Sequence, residues 1–185
     1  LKPFIYGMAF DDGLASPDTR IADVPRRFAT YRPDNFYRTF RGHVTVAQAL
    51  QHSLNVPAVS ALDAVGAQRF AAALSFAGAD LSMPLTADED AGLAIALGGA
   101  GMTVRDVALL YSALGDNGRA LPLHWLKAET DAAMTKPLKA TQIMSAQSAR
   151  QIVDILGSAP APAGRMPALL TQEAPVIAFK TGTSY

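Results

Sequence analysis

The chain has 185 residues, of which 50% are hydrophobic and 17% are charged, a composition typical of one globular domain with a sizeable core. Sixteen basic and sixteen acidic residues cancel to a formal net charge of zero, which argues against nucleic acid or an anionic membrane surface as a partner. The absence of cysteine excludes a disulfide framework, a thiolate metal site and a cysteine nucleophile.

The chain begins at Leu1 without an initiator methionine, and no cleavable signal segment precedes the first acidic residues, Asp11 and Asp12. No stretch approaches the roughly 18 apolar residues that a membrane-spanning helix requires. We therefore interpret residues 1–185 as one domain, incomplete at both ends and taken from a longer protein.

An amphipathic helix is predicted at the start of the chain, where apolar residues recur at helical spacing from Leu1 to Ala9 and Gly13 ends the pattern. Pro3 is tolerated only in a first helical turn, so Lys2 is predicted at the helix N-terminus. Residues 12–42 are predicted as a long irregular connection in which arginines alternate with aromatic residues. We interpret those aromatic residues as the packing of the loop itself rather than as an RNA-binding surface.

Five further helices are predicted from capping residues and apolar spacing, over residues 45–52, 57–66, 67–77, 103–114 and 145–157. Ser53-Leu54-Asn55 forms the break between the first two of them. The helix that follows Thr103 is predicted to bury a face made of Val104, Val107, Ala108, Tyr111 and Leu114.

A strand is predicted at the end of the chain, residues 176–185. An apolar run leads there into Lys180-Thr181-Gly182, followed by Thr183 and Ser184. A buried strand that surfaces by presenting a lysine, two threonines and a serine is poorly explained by packing alone. Lys-Thr-Gly on a strand is an element of serine acyl-transferases that react with penicillin.

Lys2 at a helix start, Ser53-Leu54-Asn55 at a helix break and the Lys180-Thr181-Gly182 strand occur in that order, with Leu97-Gly98 through Thr103 between the last two. In this order and with their flanking residues, they resemble the transpeptidase domain of class A penicillin-binding proteins, the periplasmic enzymes that crosslink peptidoglycan. Within class A, the run from Phe4 to Gly13 is most similar to the 1C-type subgroup.

This resemblance implies an α+β fold of the penicillin-binding-protein transpeptidase and serine β-lactamase type, a helical cluster packed with an antiparallel sheet whose flanking strands lie outside this chain. It implies three catalytic residues, Lys2, Ser53 and Lys180. It implies substrate-binding roles for Asn55, Thr181, Gly182, Thr183 and Ser184. The nucleophilic serine of the family's Ser-x-x-Lys motif would lie two residues before Leu1, so we expect the chain as given to form no acyl-enzyme.

The residue types suit that chemistry. A serine hydroxyl needs a base, and lysine becomes one when burial or a nearby cation, for which Lys180 is the candidate, lowers its pKa. Ser53 would bridge the two lysines as a proton relay, and Asn55 would hold a peptide amide. The threonine hydroxyls would receive the substrate carboxylate beside Lys180. Gly182 would leave the strand edge open, and the Thr183 N–H would form part of the oxyanion hole.

The expected partners are peptidoglycan stem peptides ending in D-Ala-D-Ala and β-lactam antibiotics, at the extracytoplasmic face of the membrane. The resemblance also implies a membrane-anchored parent that works with the cell-wall synthesis machinery, with a glycosyltransferase domain upstream. Neither a cofactor nor nucleic acid is expected, and His43, His52 and His124 lack the spacing of metal ligands.

Three other functions remain open from the sequence: a D,D-carboxypeptidase, a serine β-lactamase and a non-catalytic β-lactam sensor. The class A β-lactamase reading requires a deacylating glutamate, and none of Glu89, Glu129 and Glu173 lies in such a motif.

Overall fold

A computed structural model of the chain describes residues 1–82, 92–124, 126, 139–161 and 177–182. Its helices are α1 (Lys2–Asp11), α2 (Val46–Gln51), α3 (Asn55–Val65), α4 (Ala67–Phe76), a 3₁₀ helix (Ala94–Leu97), α5 (Val104–Gly115) and α6 (Ala146–Gly157). Its strands are β1 (Arg20–Asp23), β2 (Gly42–Thr45), β3 (Arg119–Ala120) and β4 (Thr141–Gln142), which pair antiparallel as β1–β2 and β3–β4. The predicted α+β class is confirmed.

Helix α1 is the centre of the helical cluster. Every residue from Lys2 to Ala9 is buried, and the helix packs against both α3 and α6. The sequence pattern predicted one apolar stripe, but the helix is buried on all its faces, as expected for a helix inside a core. The lysine at its N-terminus is therefore held in the protein interior.

The predicted helix starts are confirmed where they depend on local capping. Thr45 with Gln48 and Thr103 with Asp106 form capping boxes at α2 and α5, and Ser145 accepts a first-turn N–H of α6. These interactions join residues three positions apart, so they are legible in the sequence. Helix α3 begins two residues before the predicted start.

The connection over residues 12–42 is less irregular than predicted, because it contains β1 and reaches the first residue of β2. Ile21 lies opposite Val44, and Asp23 lies opposite Gly42. The ladder joins residues about twenty positions apart, a pairing that local sequence patterns do not reveal. In the loop between the two strands Phe28 is buried beneath the Arg26 guanidinium, which lies 4.7 Å from the ring centroid.

The predicted buried face of α5 is wrong in its first half. Val104 is 87% exposed and Val107 is 39% exposed, and Ala108 is also exposed. The buried residues of α5 are Asp106, Leu109, Leu110, Ala113 and Leu114. Apolar residues lie on more than one side of this helix, so the neighbour against which it packs, α6, determines which side is buried.

The predicted closing strand is not confirmed, because residues 177–182 form neither helix nor strand. Thr183 and Ser184 lie outside the described residues. A strand is defined by ladder hydrogen bonds to a neighbour, and no described segment pairs with residues 177–182. Among the described helices, none has the length and apolar character needed to cross a membrane.

Candidate active site

Lys2 lies where the start of α1 meets the break between α2 and α3. Its Nζ donates to the Ser53 carbonyl oxygen at 2.7 Å and to Asn55 Oδ1 at 2.6 Å, and it lies 3.3 Å from Ser53 Oγ. The lysine is only 8% exposed. The fold therefore brings Lys2 into contact with Ser53, a second predicted catalytic residue, and with Asn55, a predicted substrate-binding residue. These two residues lie 51 and 53 positions from Lys2 in the chain.

The site holds two lysines whose pKa values are low. Burial, with the positive charge of Lys180 as a smaller cause, lowers the pKa of Lys2 from 10.5 to about 7. Burial also lowers the pKa of Lys180, to about 8. The positive charge of Lys180 thus disfavours the charged form of Lys2. Because Lys2 loses its proton first, it can act as a neutral amine beside a cation near neutral pH.

Ser53, two residues after the end of α2, has a strained backbone conformation, with φ of 54° in the left-handed region. Its N–H donates to Leu50 O at 3.1 Å, and the N–H of Leu54 donates to Ala49 O at 2.9 Å. These two bonds form a Schellman motif, in which glycine is the usual residue at the position of Ser53. A side chain there costs about 1 kcal/mol or more. The strained turn directs both the carbonyl and the hydroxyl of Ser53 to Lys2.

Asn55 is the first residue of α3, and contacts orient both ends of its side-chain amide. Its Oδ1 accepts from Lys2, while its Nδ2 donates to the Asp34 carbonyl oxygen at 2.7 Å. Since an ammonium can only donate and a carbonyl can only accept, the amide has one orientation here. That contact with Asp34 uses one of the two amide hydrogens, and the other suits a substrate carbonyl.

Lys180 and Thr181, near the C-terminal end of the chain, contact each other. Lys180 Nζ donates to Thr181 O at 2.6 Å and lies 3.3 Å from Thr181 Oγ1. Within the described hydrogen bonds Ser53 contacts Lys2 and not Lys180, so the predicted bridge between the two lysines is not formed. A Cβ added at Gly182 would meet no atom within 4 Å, which means that open space lies beside this residue.

Two polar residues of the site, Asn35 and Asp23, were not predicted from the sequence. Both are buried, and the Asn35 side chain accepts the backbone N–H of Asn55 at 2.8 Å. The sequence does contain a signal for Asp23, because it is a lone carboxylate in the run Ile21-Ala22-Asp23-Val24. A charged residue between apolar neighbours on a strand is rarely buried unless it has a specific partner.

The sequence model of the family described as penicillin binding protein transpeptidase domain matches residues 1–185, the whole chain. The chain belongs to the penicillin-binding protein transpeptidase family. It is 41% identical over 187 residues to penicillin-binding protein 1C of Escherichia coli (strain K12), and 34% identical over 192 residues to penicillin-binding protein 4 of Bacillus subtilis (strain 168). Both matches cover 100% of this chain, which spans 22% and 30% of the length of these relatives. The predicted class A, 1C-type resemblance is confirmed.

Solved structures share the fold of this transpeptidase-family chain at low sequence identity. A peptidoglycan glycosyltransferase from Burkholderia ambifaria superimposes with a TM-score of 0.68 at 15% identity, over 84% of this chain and 53% of that one. The TP domain of penicillin-binding protein 3 from Burkholderia pseudomallei superimposes with a TM-score of 0.66 at 17% identity, over 85% of this chain and 51% of that one. These matches confirm the fold class predicted from the sequence.

Proposed function

We propose that this chain is part of a peptidoglycan D,D-transpeptidase domain that acts, in the full-length protein, through a serine acyl-enzyme and is a target of β-lactams. The observation that supports this most directly is the contact of one buried lysine, Lys2, with both Ser53 and Asn55. A lysine with a pKa of about 7 suits a general base, and a hydroxyl and an amide beside it suit proton relay and substrate binding.

The proton path starts at the serine that the family motif puts one helical turn before Lys2. Neutral Lys2 takes the hydroxyl proton while the serine oxygen forms a bond to the carbonyl carbon of the penultimate D-Ala. The C–N bond to the terminal D-Ala then breaks, and its nitrogen receives a proton through Ser53. The amino group of a second stem peptide next attacks the ester, forming the crosslink and returning a proton to the serine oxygen.

Lys180 and Thr181 form the part of the site that would hold the substrate carboxylate, which both a D-alanyl terminus and a penicillin present. The open space beside Gly182 would accept the acyl peptide as an added strand. Thr183 would donate its N–H to the oxyanion, together with the N–H of the serine. Ser184 would complete the polar end of this segment.

Peptidoglycan is assembled outside the cytoplasmic membrane, so this activity requires an extracytoplasmic location. We infer that the full-length protein is anchored at the membrane there, works with the cell-wall synthesis machinery and carries a glycosyltransferase domain upstream of residue 1. This chain is 41% identical to E. coli penicillin-binding protein 1C and spans 22% of its length, which supports a longer full-length protein.

Labelling with a fluorescent penicillin tests the acyl-enzyme. The full-length gene product, which includes the residues encoded before Leu1, should become stably and covalently labelled, whereas residues 1–185 alone should not. Lys2→Ala and Lys180→Ala should abolish labelling, while Lys139→Ala, which removes an exposed lysine, should leave it unchanged. Absence of label on the full-length protein would refute the proposal, and rapid loss of label would favour a β-lactamase.

Product analysis separates a transpeptidase from a carboxypeptidase. With pentapeptide-bearing glycan strands, transpeptidation releases D-Ala and yields crosslinked dimers, whereas carboxypeptidation releases D-Ala and yields uncrosslinked tetrapeptides. We expect crosslinked dimers, and we expect penicillin to prevent their formation. Stable labelling without any release of D-Ala would instead identify a β-lactam sensor.

A further inference from the structure

Asn35 is a buried residue whose side-chain amide is bonded at both ends. Its Nδ2 donates to Asp23 Oδ1 at 2.8 Å and to the Thr39 carbonyl oxygen at 2.9 Å. Its Oδ1 accepts the backbone N–H of Asn55 at 2.8 Å. Because both partners of the nitrogen can only accept and the partner of the oxygen can only donate, this amide has a single orientation.

Asp23 fixes Asn35 in turn. It is fully buried on β1, and its second carboxylate oxygen accepts the backbone N–H of Arg41 at 2.8 Å. A buried carboxylate is tolerated when hydrogen bonds compensate its lost hydration. The β1–β2 pair is thus connected to the active site by an unbroken series of hydrogen bonds, through Asp23, Asn35 and Asn55 to Lys2.

The loop between β1 and β2 contacts Asn55 twice, once at the Asn55 backbone and once at its side chain. Asn35 accepts the N–H, while the neighbouring Asp34 carbonyl accepts from Nδ2. Leu54, the N-cap residue of α3, provides no side-chain cap, so Asn35 satisfies an N–H that the helix start leaves unpaired. The position of Asn55 Oδ1 against Lys2 therefore depends on this loop as well as on α3.

We propose that Asn35, held by Asp23, is a positioning residue of the acyl-transfer site that fixes the first residue of α3 so that Asn55 meets Lys2. This inference rests on the proposed transpeptidase function. Asn35 does not touch Lys2 in the described contacts, and its effect on the chemistry passes through Asn55. A displacement of about 1 Å in a catalytic group lowers rates by up to about a hundredfold, so loss of Asn35 has a kinetic effect beyond its effect on stability.

Acylation of the full-length protein by fluorescent penicillin measures that effect. Asn35→Ala should lower the acylation rate constant by about tenfold to a hundredfold. Asn35→Asp should lower it as well, because it keeps the acceptor for the Asn55 N–H but sets two carboxylates against each other. In the double variant Asp23→Asn/Asn35→Asp, the amide at position 23 can donate to the carboxylate at position 35, which restores a hydrogen bond between the two side chains. The double variant should recover part of the lost rate, with the unpaired Thr39 carbonyl limiting the recovery.

Ser148→Ala is the matched control, since Ser148 is a buried polar residue that donates to Asp11 Oδ1 at 2.6 Å at the other end of α1. Those ends are about 14 Å apart at 1.5 Å per residue. Ser148→Ala should lower the melting temperature without changing the acylation rate constant at temperatures where the protein is folded. If Asn35→Ala does not fold, the comparison of Asn35→Asp with the double variant decides.

The outcomes separate the two proposals. If the wild-type protein is not acylated, the transpeptidase proposal fails. If the wild type is acylated, three results would overturn the positioning role while leaving the transpeptidase proposal in place. The acylation rate constants of the Asn35 variants could equal that of the wild type, or they could fall no further than that of Ser148→Ala. Alternatively, adding Asp23→Asn to Asn35→Asp could fail to raise the acylation rate constant.

Discussion

At the scale of single residues, the two lysines have the properties that the proposed chemistry needs. Water normally stabilises an ammonium, and Lys2 is largely removed from water, while the positive charge of Lys180 adds a smaller effect that also lowers the pKa of Lys2. Their pKa values, about 7 for Lys2 and about 8 for Lys180, suit the two lysines to different proposed roles. In the interval between these values Lys2 is mostly neutral and can accept a proton, while Lys180 is mostly charged and can bind a carboxylate.

The acylation rate constant should therefore depend on pH as a narrow bell. It should rise as Lys2 loses its proton near pH 7 and fall as Lys180 loses its charge near pH 8. Stopped-flow acylation by fluorescent penicillin from pH 5 to 10 measures both limbs. In Lys180→Arg the cation persists over this range, so the alkaline limb should disappear and the acidic limb should remain. An unchanged alkaline limb in this variant would assign it to another group.

Ser53 combines a chemical role with an unfavourable backbone conformation, and two substitutions separate them. Ser53→Gly should raise the free energy of unfolding by about 1 kcal/mol relative to Ser53→Ala, because glycine has no Cβ to strain at a φ of 54°. Both substitutions remove the hydroxyl, so both should lower the acylation rate constant by about a hundredfold or more. Denaturant unfolding and penicillin labelling give the two quantities.

A Ser53→Gly variant that is more stable and still acylates at the wild-type rate would show that the hydroxyl is not the relay. A variant less stable than Ser53→Ala would show that the left-handed conformation is not a source of strain.

At the scale of secondary structure, helix ends were predicted well and helix faces less well. Caps such as Thr45 with Gln48 are interactions within one turn, so the residues that determine them are adjacent in the sequence. The buried side of a helix depends on what packs against it. Helix α5 carries apolar residues on several sides, and it packs against α6; Leu110 is fully buried while Val104 remains exposed.

This difference along α5 can be measured by two truncations of apolar side chains. Leu110→Ala should lower the free energy of unfolding by about 2–5 kcal/mol, because Leu110 is fully buried in the core. Val104→Ala should change it by less than about 0.5 kcal/mol, since the side chain is exposed and alanine is the better helix former. Chemical denaturation of both variants is the measurement. A large loss of unfolding free energy in Val104→Ala would instead support the buried face that was predicted from the sequence.

At the scale of the whole molecule, the core and the candidate active site share α1. The helix buries Phe4, Ile5 and Tyr6 completely and holds Lys2 at its first residue. Packing α1 against α3 brings Lys2 to Asn55, and the same packing removes the lysine from water. The low pKa of Lys2 is therefore a consequence of the core, and it has a cost in stability.

The stability of the protein should consequently rise with pH above about 7. The folded state holds Lys2 with a pKa of about 7 against an ordinary value of 10.5, so between these values the unfolded state binds more protons. Lys180 acts in the same direction above about 8. Melting temperatures from pH 7 to 9 should show a smaller pH slope in Lys2→Met than in the wild type.

Lys139→Met is the control for this slope, since it removes an exposed lysine and should leave the slope unchanged. A wild-type melting temperature that falls over this interval, with the same fall in Lys2→Met, would contradict a lowered pKa for Lys2 in the folded protein.

The sequence by itself determined most of the helices and the caps of α2, α5 and α6, because these caps depend on residues within one turn of each other. Through the ordered motifs it also indicated the family, and it predicted Lys2, Ser53 and Asn55 as site residues, which the fold brings into contact. The tertiary structure decided which faces are buried, the β1–β2 pairing and the support of Asn55 by Asn35 and Asp23. It also decided the low pKa of Lys2. These features depend on burial and on contacts between residues distant in the chain, and only packing creates them.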